Sequence, residues 1–100
     1  MKTATLPVVK IDHDAHRVYV DGKEVSLEPI GYEMLRVFLK HPGKVISRED
    51  FLDSIWGDGA SLNYEVRLVD TNVSRIRKVI GDSTIATLVG YGYRFDGKVG

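Results

Sequence analysis

Residues 67–78 read Arg67-Leu68-Val69-Asp70-Thr71-Asn72-Val73-Ser74-Arg75-Ile76-Arg77-Lys78, and the periodicity of this stretch decides the fold. Val66, Val69, Val73, Ile76 and Ile80 recur at intervals of three and four, the spacing that draws one apolar stripe along an α-helix. At about 100° per residue, the arc opposite that stripe carries Arg67, Thr71, Ser74, Arg75 and Lys78. These are donors of the kinds that meet phosphate oxygens and base edges. Asp70 and Arg77 fall nearer the flanks, where an ion pair, phosphate steering or base reading all remain open. For a lone helix, a merely solvated charged face is the plain alternative.

The following segment argues for more. Residues 87–95 read Thr87-Leu88-Val89-Gly90-Tyr91-Gly92-Tyr93-Arg94-Phe95. Two short runs rich in β-branched and aromatic residues flank a glycine-bracketed turn, which signals a hairpin. A basic helix followed by a compact hairpin is the recognition-helix and wing layout of a winged helix. Gly90-Tyr91-Gly92 lacks the third glycine of a nucleotide-binding loop and opens no helix, so the hairpin reading prevails.

Toward the N-terminus, residues 8–11, 17–20 and 24–27 form short β-rich runs, with Asp21-Gly22 a strong two-residue hairpin turn. His13 and His16, with Asp12 and Asp14, sit in a polar turn; without cysteine or a supporting cluster, they read as turn residues rather than metal ligands. Residues 29–41 predict a first helix. Pro29 stands where its missing N–H is harmless, Ile30, Met34, Val37 and Phe38 form an apolar face, and His41-Pro42-Gly43 stops it. Gly31 weakens this helix by about 1 kcal/mol relative to alanine if interior. A second helix starts from Ser47 as N-cap, with Asp50 in an approximate capping box and Ile46 stapled to Phe51. It ends near Trp56-Gly57, and a loop through Tyr64 leads to the basic helix. The expectation is an α+β winged helix-turn-helix: an N-terminal antiparallel sheet, three helices and a C-terminal β-hairpin wing. It forms a single domain over residues 1–100, with a core of about 8–96.

Fourteen cations balance fourteen anions, so attraction to nucleic acid must arise from local sorting of charge. Residues 61–80 carry four cations against two acids, and residues 47–58 carry four acids against Arg48 alone. The absence of cysteine excludes a disulfide frame, a thiolate zinc site and a catalytic thiol. No apolar run approaches the ~20 residues of a membrane span, and the polar start Met1-Lys2-Thr3 resembles no signal peptide. A cytoplasmic chain without cofactor is expected. An enzyme is set aside because Ser47 caps a helix, Ser74 lies among arginines and the histidines are scattered over turns.

These residues resemble the winged-helix output domain of OmpR/PhoB-type response regulators of two-component systems. The resemblance rests on Leu27 with Pro29, Met34-Leu35, His41-Pro42-Gly43, Val45-Ile46-Ser47-Arg48-Glu49, Leu52 and Ile55-Trp56-Gly57. It continues through Arg67, Val69-Asp70, Val73, Arg75-Ile76-Arg77-Lys78 and Gly90-Tyr91-Gly92-Tyr93-Arg94-Phe95. It implies a four-stranded N-terminal sheet, a third helix in the DNA major groove and a wing at the minor groove. It also implies head-to-tail pairs on direct repeats, and a loop between the second and third helices, here Asp58, Leu62, Asn63 and Tyr64, that touches RNA polymerase. By the same resemblance Asp70, Thr71, Ser74 and Arg75 face bases, while Trp56, Arg67, Arg77, Thr87 and Tyr93 approach phosphates or support that approach. Lys78 reads as a phosphate contact or a solvated charge.

The chain departs from the family pattern at Val89, often an arginine that enters the minor groove, and at Ser74, where many members have another arginine. Tyr91 beside Val89 offers a stacking or hydrogen-bonding substitute. Members usually carry an N-terminal receiver domain, to which nothing in these residues corresponds. An excised output domain and a free-standing regulator both remain open. The leading expectation is sequence-specific binding of duplex promoter DNA, with Arg75 in a bidentate guanine contact. The alternative is a protein-interaction module that contacts polymerase or a partner regulator.

Overall fold

A computed structural model describes residues 6–100, Ser61 by its main chain alone. The expectation drawn from Met1-Lys2-Thr3 lies outside the described residues. In chain order the elements are β1 (Val8–Asp12), β2 (Arg17–Val20), β3 (Lys23–Val25), α1 (Pro29–Lys40), β4 (Val45–Ile46) and α2 (Arg48–Trp56). They continue with α3 (Arg67–Ile80), β5 (Ile85–Leu88), β6 (Gly92–Phe95) and β7 (Lys98–Val99), with short 3-10 turns at Ala60–Leu62 and Asp82–Thr84. The α+β winged-helix architecture is the expected one, with three helices between an N-terminal sheet and a C-terminal hairpin.

The N-terminal strands form an antiparallel meander, Val9 opposite Val20 and Val18 opposite Val25. Asp21 and Gly22 take φ of 51° and 81°, the two left-handed residues that a type I′ hairpin turn needs. The third strand ends at Val25, two residues short of the expected Leu27. The sheet does have four strands, but the fourth is C-terminal: β7 runs parallel to β1, Val8 opposite Lys98. Both residues of β7 are exposed, so this strand covers the edge of β1 without adding to the core. Among the described residues, no helix is long and apolar enough to cross a membrane.

Each helix buries the face its periodicity marks. Met34, Leu35 and Phe38 of α1, Phe51 and Leu52 of α2, and Val69, Val73, Ile76 and Ile80 of α3 converge on one core. Full burial of each such side chain is worth about 1.5–3 kcal/mol, so the four from α3 fix the rotation of that helix about its axis. Phe38 joins the layers, its ring 4.8 Å from Phe51 and 6.4 Å from Phe95. Ser47 caps α2 as expected, its Oγ accepting from Asp50 N at 3.0 Å.

A second sheet, in the order β4-β6-β5, carries the wing. Its two-residue strand β4 places Ile46 opposite Tyr93, and is too short to announce itself by alternation. Gly92 makes the close approach possible. A Cβ there would stand 2.1 Å from the Ile46 carbonyl oxygen, and its φ of 146° disfavours any side chain. By contrast, a Cβ on Gly31 would meet only ordinary contacts at 3.5 Å or more.

Gly92→Ala is therefore expected to destabilise the fold by roughly 2–4 kcal/mol, whereas Gly31→Ala should stabilise it by about 0.5 kcal/mol. Urea unfolding of both variants checks this pair; a mild Gly92→Ala would disprove the close packing of β6 on β4.

Candidate nucleic-acid interface

With its stripe buried, α3 presents a ridge to solvent. Arg67, Thr71, Ser74, Arg75 and Lys78 are all exposed. Among the described residues, the side chains of Arg67, Thr71, Ser74 and Lys78 have no hydrogen-bond or ion-pair partner. Arg75 lies at the edge of the ridge nearest α1, with Nη1 3.6 Å from Glu28 Oε1. Leu68 is 36% exposed on the same edge.

The flank residues point elsewhere. Asp70 is half-buried, and both of its oxygens are engaged: Oδ1 accepts from the Tyr93 hydroxyl, and Oδ2 from Arg48 Nη1 at 3.1 Å. Arg77 reaches across to the wing. Its Nε and Nη2 donate to the Ile85 carbonyl at 3.1 and 2.7 Å, and Nη2 also donates to Thr87 Oγ1 at 2.7 Å. The Arg77 guanidinium lies 5.5 Å from the centre of the Tyr93 ring. Together Asp70, Tyr93, Arg77 and Thr87 fasten the wing to α3 and, through Arg48, to the start of α2. Asp70 thus stands in an ion pair with Arg48, and Arg77 in hydrogen bonds to the wing.

Arg48 was legible in the sequence as a lone cation in an acidic stretch and as part of the Val45-Ile46-Ser47-Arg48-Glu49 motif, but not as a partner of Asp70. It stands 22 residues from Asp70, a separation that no local pattern connects. Asn72 is likewise buried, its Nδ2 donating to the Leu68 carbonyl at 2.8 Å; a polar residue inside the buried arc was its one sequence signal.

Val89 and Tyr91 crown the wing, 89% and 75% exposed, on either side of Gly90 with φ of 84°. At the end of α2, Trp56 is half-buried and stacks on Tyr64, ring centres 5.5 Å apart. In the loop between them Ala60 is buried, while Asp58, Asn63 and Leu62 are exposed, Leu62 to 87%. In the polar turn between β1 and β2, His16 stacks on Tyr32 with ring centres 4.8 Å apart.

A ridge of donors on a packed helix, flanked by a fastened hairpin, matches known proteins along most of its length. Residues 22–95 match the family described as "Transcriptional regulatory protein, C terminal". The chain belongs to the OmpR/PhoB-type DNA-binding domains of response regulators. This family comprises DNA-binding transcription regulators, not enzymes. The chain is similar to the transcriptional regulatory protein ResD of Bacillus subtilis, 42% identical over 98 residues that take in 88% of this chain and 38% of ResD. It is also similar to the phosphate regulon regulator PhoB of Pseudomonas aeruginosa, 35% identical over 88% of this chain and 39% of PhoB. It therefore spans less than half the length of these curated relatives. Among solved structures, the RstA DNA-binding domain of Klebsiella pneumoniae, in complex with the RstA box, superposes with a TM-score of 0.76 at 29% identity. That likeness covers 96% of this chain and 98% of the other. Response regulator DrrB of Thermotoga maritima gives 0.75 at 36% identity, over 87% of this chain and 41% of DrrB.

Burial pushes the Tyr93 hydroxyl pKa up to about 12, helped by its donation to the Asp70 carboxylate. A pKa raised above its unfolded value of about 10 contributes stability that is complete below pH ~10 and is lost as pH rises toward ~12. A phenolate titration of the folded chain should show one of the five tyrosines ionising about two units above a typical tyrosine. Tyr93→Phe should abolish that phase and cost about 1–2 kcal/mol. A titration in which all tyrosines ionise together would refute the bond to Asp70.

Proposed function

We propose that this chain binds duplex DNA sequence-specifically in transcription control, with α3 in the major groove and the hairpin of β5 and β6 near the minor groove. The observation that carries this reading is the division of labour on α3. The four inward residues fix the helix, the flank residues hold the wing, and the outward donors are left available to a ligand. The solved complex of the similar RstA domain with the RstA box supports it. Arg67 and Lys78 act on phosphates, while Thr71, Ser74 and Arg75 reach base edges, Arg75 toward guanine O6 and N7. Trp56, Arg77, Thr87 and Tyr93 support the backbone contacts by holding the loop and the wing. Binding as head-to-tail pairs on direct repeats belongs to the same proposal. So does contact of Asp58, Leu62, Asn63 and Tyr64 with RNA polymerase. A protein-interaction module with weak DNA binding is the second reading, favoured by the exposure of Leu62.

Binding-site selection followed by affinity measurement tests the first reading. Arg75→Ala should cost about 1–3 kcal/mol on the selected site and relax selectivity at one base pair. Lys78→Ala should weaken all duplexes alike and lower the salt slope by about one unit. Uniform weakening by Arg75→Ala would remove it as a base reader.

Val89 lacks the charge drawn to narrow A·T-rich minor grooves. Val89→Arg is expected to tighten binding, steepen the salt dependence by about one phosphate equivalent and create a preference for A·T flanks. If salt-titrated affinities on A·T and G·C flanked sites prove identical to those of the parent chain, the wing does not reach the groove. The interaction-module reading then leads.

A further inference from the structure

Glu28 holds the N-cap position of α1, with extended backbone at φ −65° and ψ 159°, directly before Pro29. That position favours serine, threonine, aspartate or asparagine, whose short side chains reach the unpaired N–H groups of the first turn. The Glu28 side chain makes no capping bond. Its carboxylate crosses to α3 instead, where it meets Arg75 at 3.6 Å. The start of α1 packs beside this part of α3, a Cβ on Gly31 falling in ordinary contact with Ile76 at 3.5 Å. The pair is well exposed, 69% for Glu28 and 59% for Arg75. Such a pair is worth only about two- to fivefold in an equilibrium constant, a bias on the guanidinium rather than a lock.

We infer that Glu28 is a positioning residue for Arg75 that sharpens sequence discrimination by steadying the guanidinium and by repelling phosphates from this edge of the ridge. The inference rests on the DNA-binding reading above. Arginine carries five N–H donors, and an ion pair at 3.6 Å leaves them available to a guanine edge. A fork steadied beforehand loses less rotamer freedom on docking. On an arbitrary sequence Arg75 would otherwise swing onto the nearest phosphate, and the neighbouring carboxylate opposes that contact. Specificity here comes as much from the disfavoured wrong complex as from the favoured right one.

The test uses the purified chain, a duplex recovered by binding-site selection and a scrambled duplex of the same composition. Glu28→Gln should tighten the scrambled duplex about two- to fivefold and leave the selected duplex within about twofold, so that the ratio of the two affinities falls. In an Arg75→Ala background, the same substitution should leave that ratio unchanged. Glu28→Thr supplies the missing cap and should raise the melting temperature, yet lower the affinity ratio as Glu28→Gln does; this separates positioning from helix capping. Equal tightening of both duplexes, or a change in ratio that persists without Arg75, overturns the inference while DNA recognition stands. If selection enriches no sequence for the parent chain, DNA recognition itself fails and the inference fails with it.

Discussion

The Asp70 carboxylate holds together three segments that are distant in sequence. One oxygen takes the Tyr93 hydroxyl from β6 and the other takes Arg48 from the first turn of α2, while its own backbone belongs to α3. These bonds, on a carboxylate still 37% exposed, favour one mutual arrangement of the three elements over the others. Arg77 extends the constraint by donating to Ile85 and Thr87 on the other strand of the hairpin. The wing therefore stands at a fixed angle to α3, though a two-stranded ribbon alone would be only marginally stable.

This constraint divides the cations into two sets. Arg48 and Arg77 are held by the protein, whereas Arg67 and Lys78 face solvent without a partner among the described residues, and Arg75 shares a weak, exposed pair. A count of charges along the helix cannot make that distinction. A neutral chain with so few outward cations draws less on counterion release than a basic one.

The helices were legible because each has a periodic apolar face and a stop or cap signal. Val69, Val73, Ile76 and Ile80 appear as a stripe, Ser47 as a cap and His41-Pro42-Gly43 as a stop, and the structure has all three features. Asp21-Gly22 was legible because that pair strongly favours a turn with two left-handed residues, which the structure has. The strands β4 and β7 were not, since two residues show no alternation and their pairing depends on partners far along the chain. For the same reason, the sequence marked Asp70 and Arg77 as flank residues but could not name Arg48, Ile85 or Thr87 as their partners. Glu28 gave no signal at all, because its meaning lies in Arg75, a residue on another helix.

The parallel pairing of β7 with β1 has a consequence for the order in which the chain acquires its structure. Synthesis is vectorial, and β1 emerges from the ribosome long before the segment around Lys98. The meander of β1, β2 and β3 can form early, but one edge of β1 stays open until nearly the whole domain has been translated. An open strand edge is a template for pairing with other chains. The arrival of β7 closes that edge at Val8 and Val9, beside the exposed charge of Lys10, a residue type that discourages such pairing.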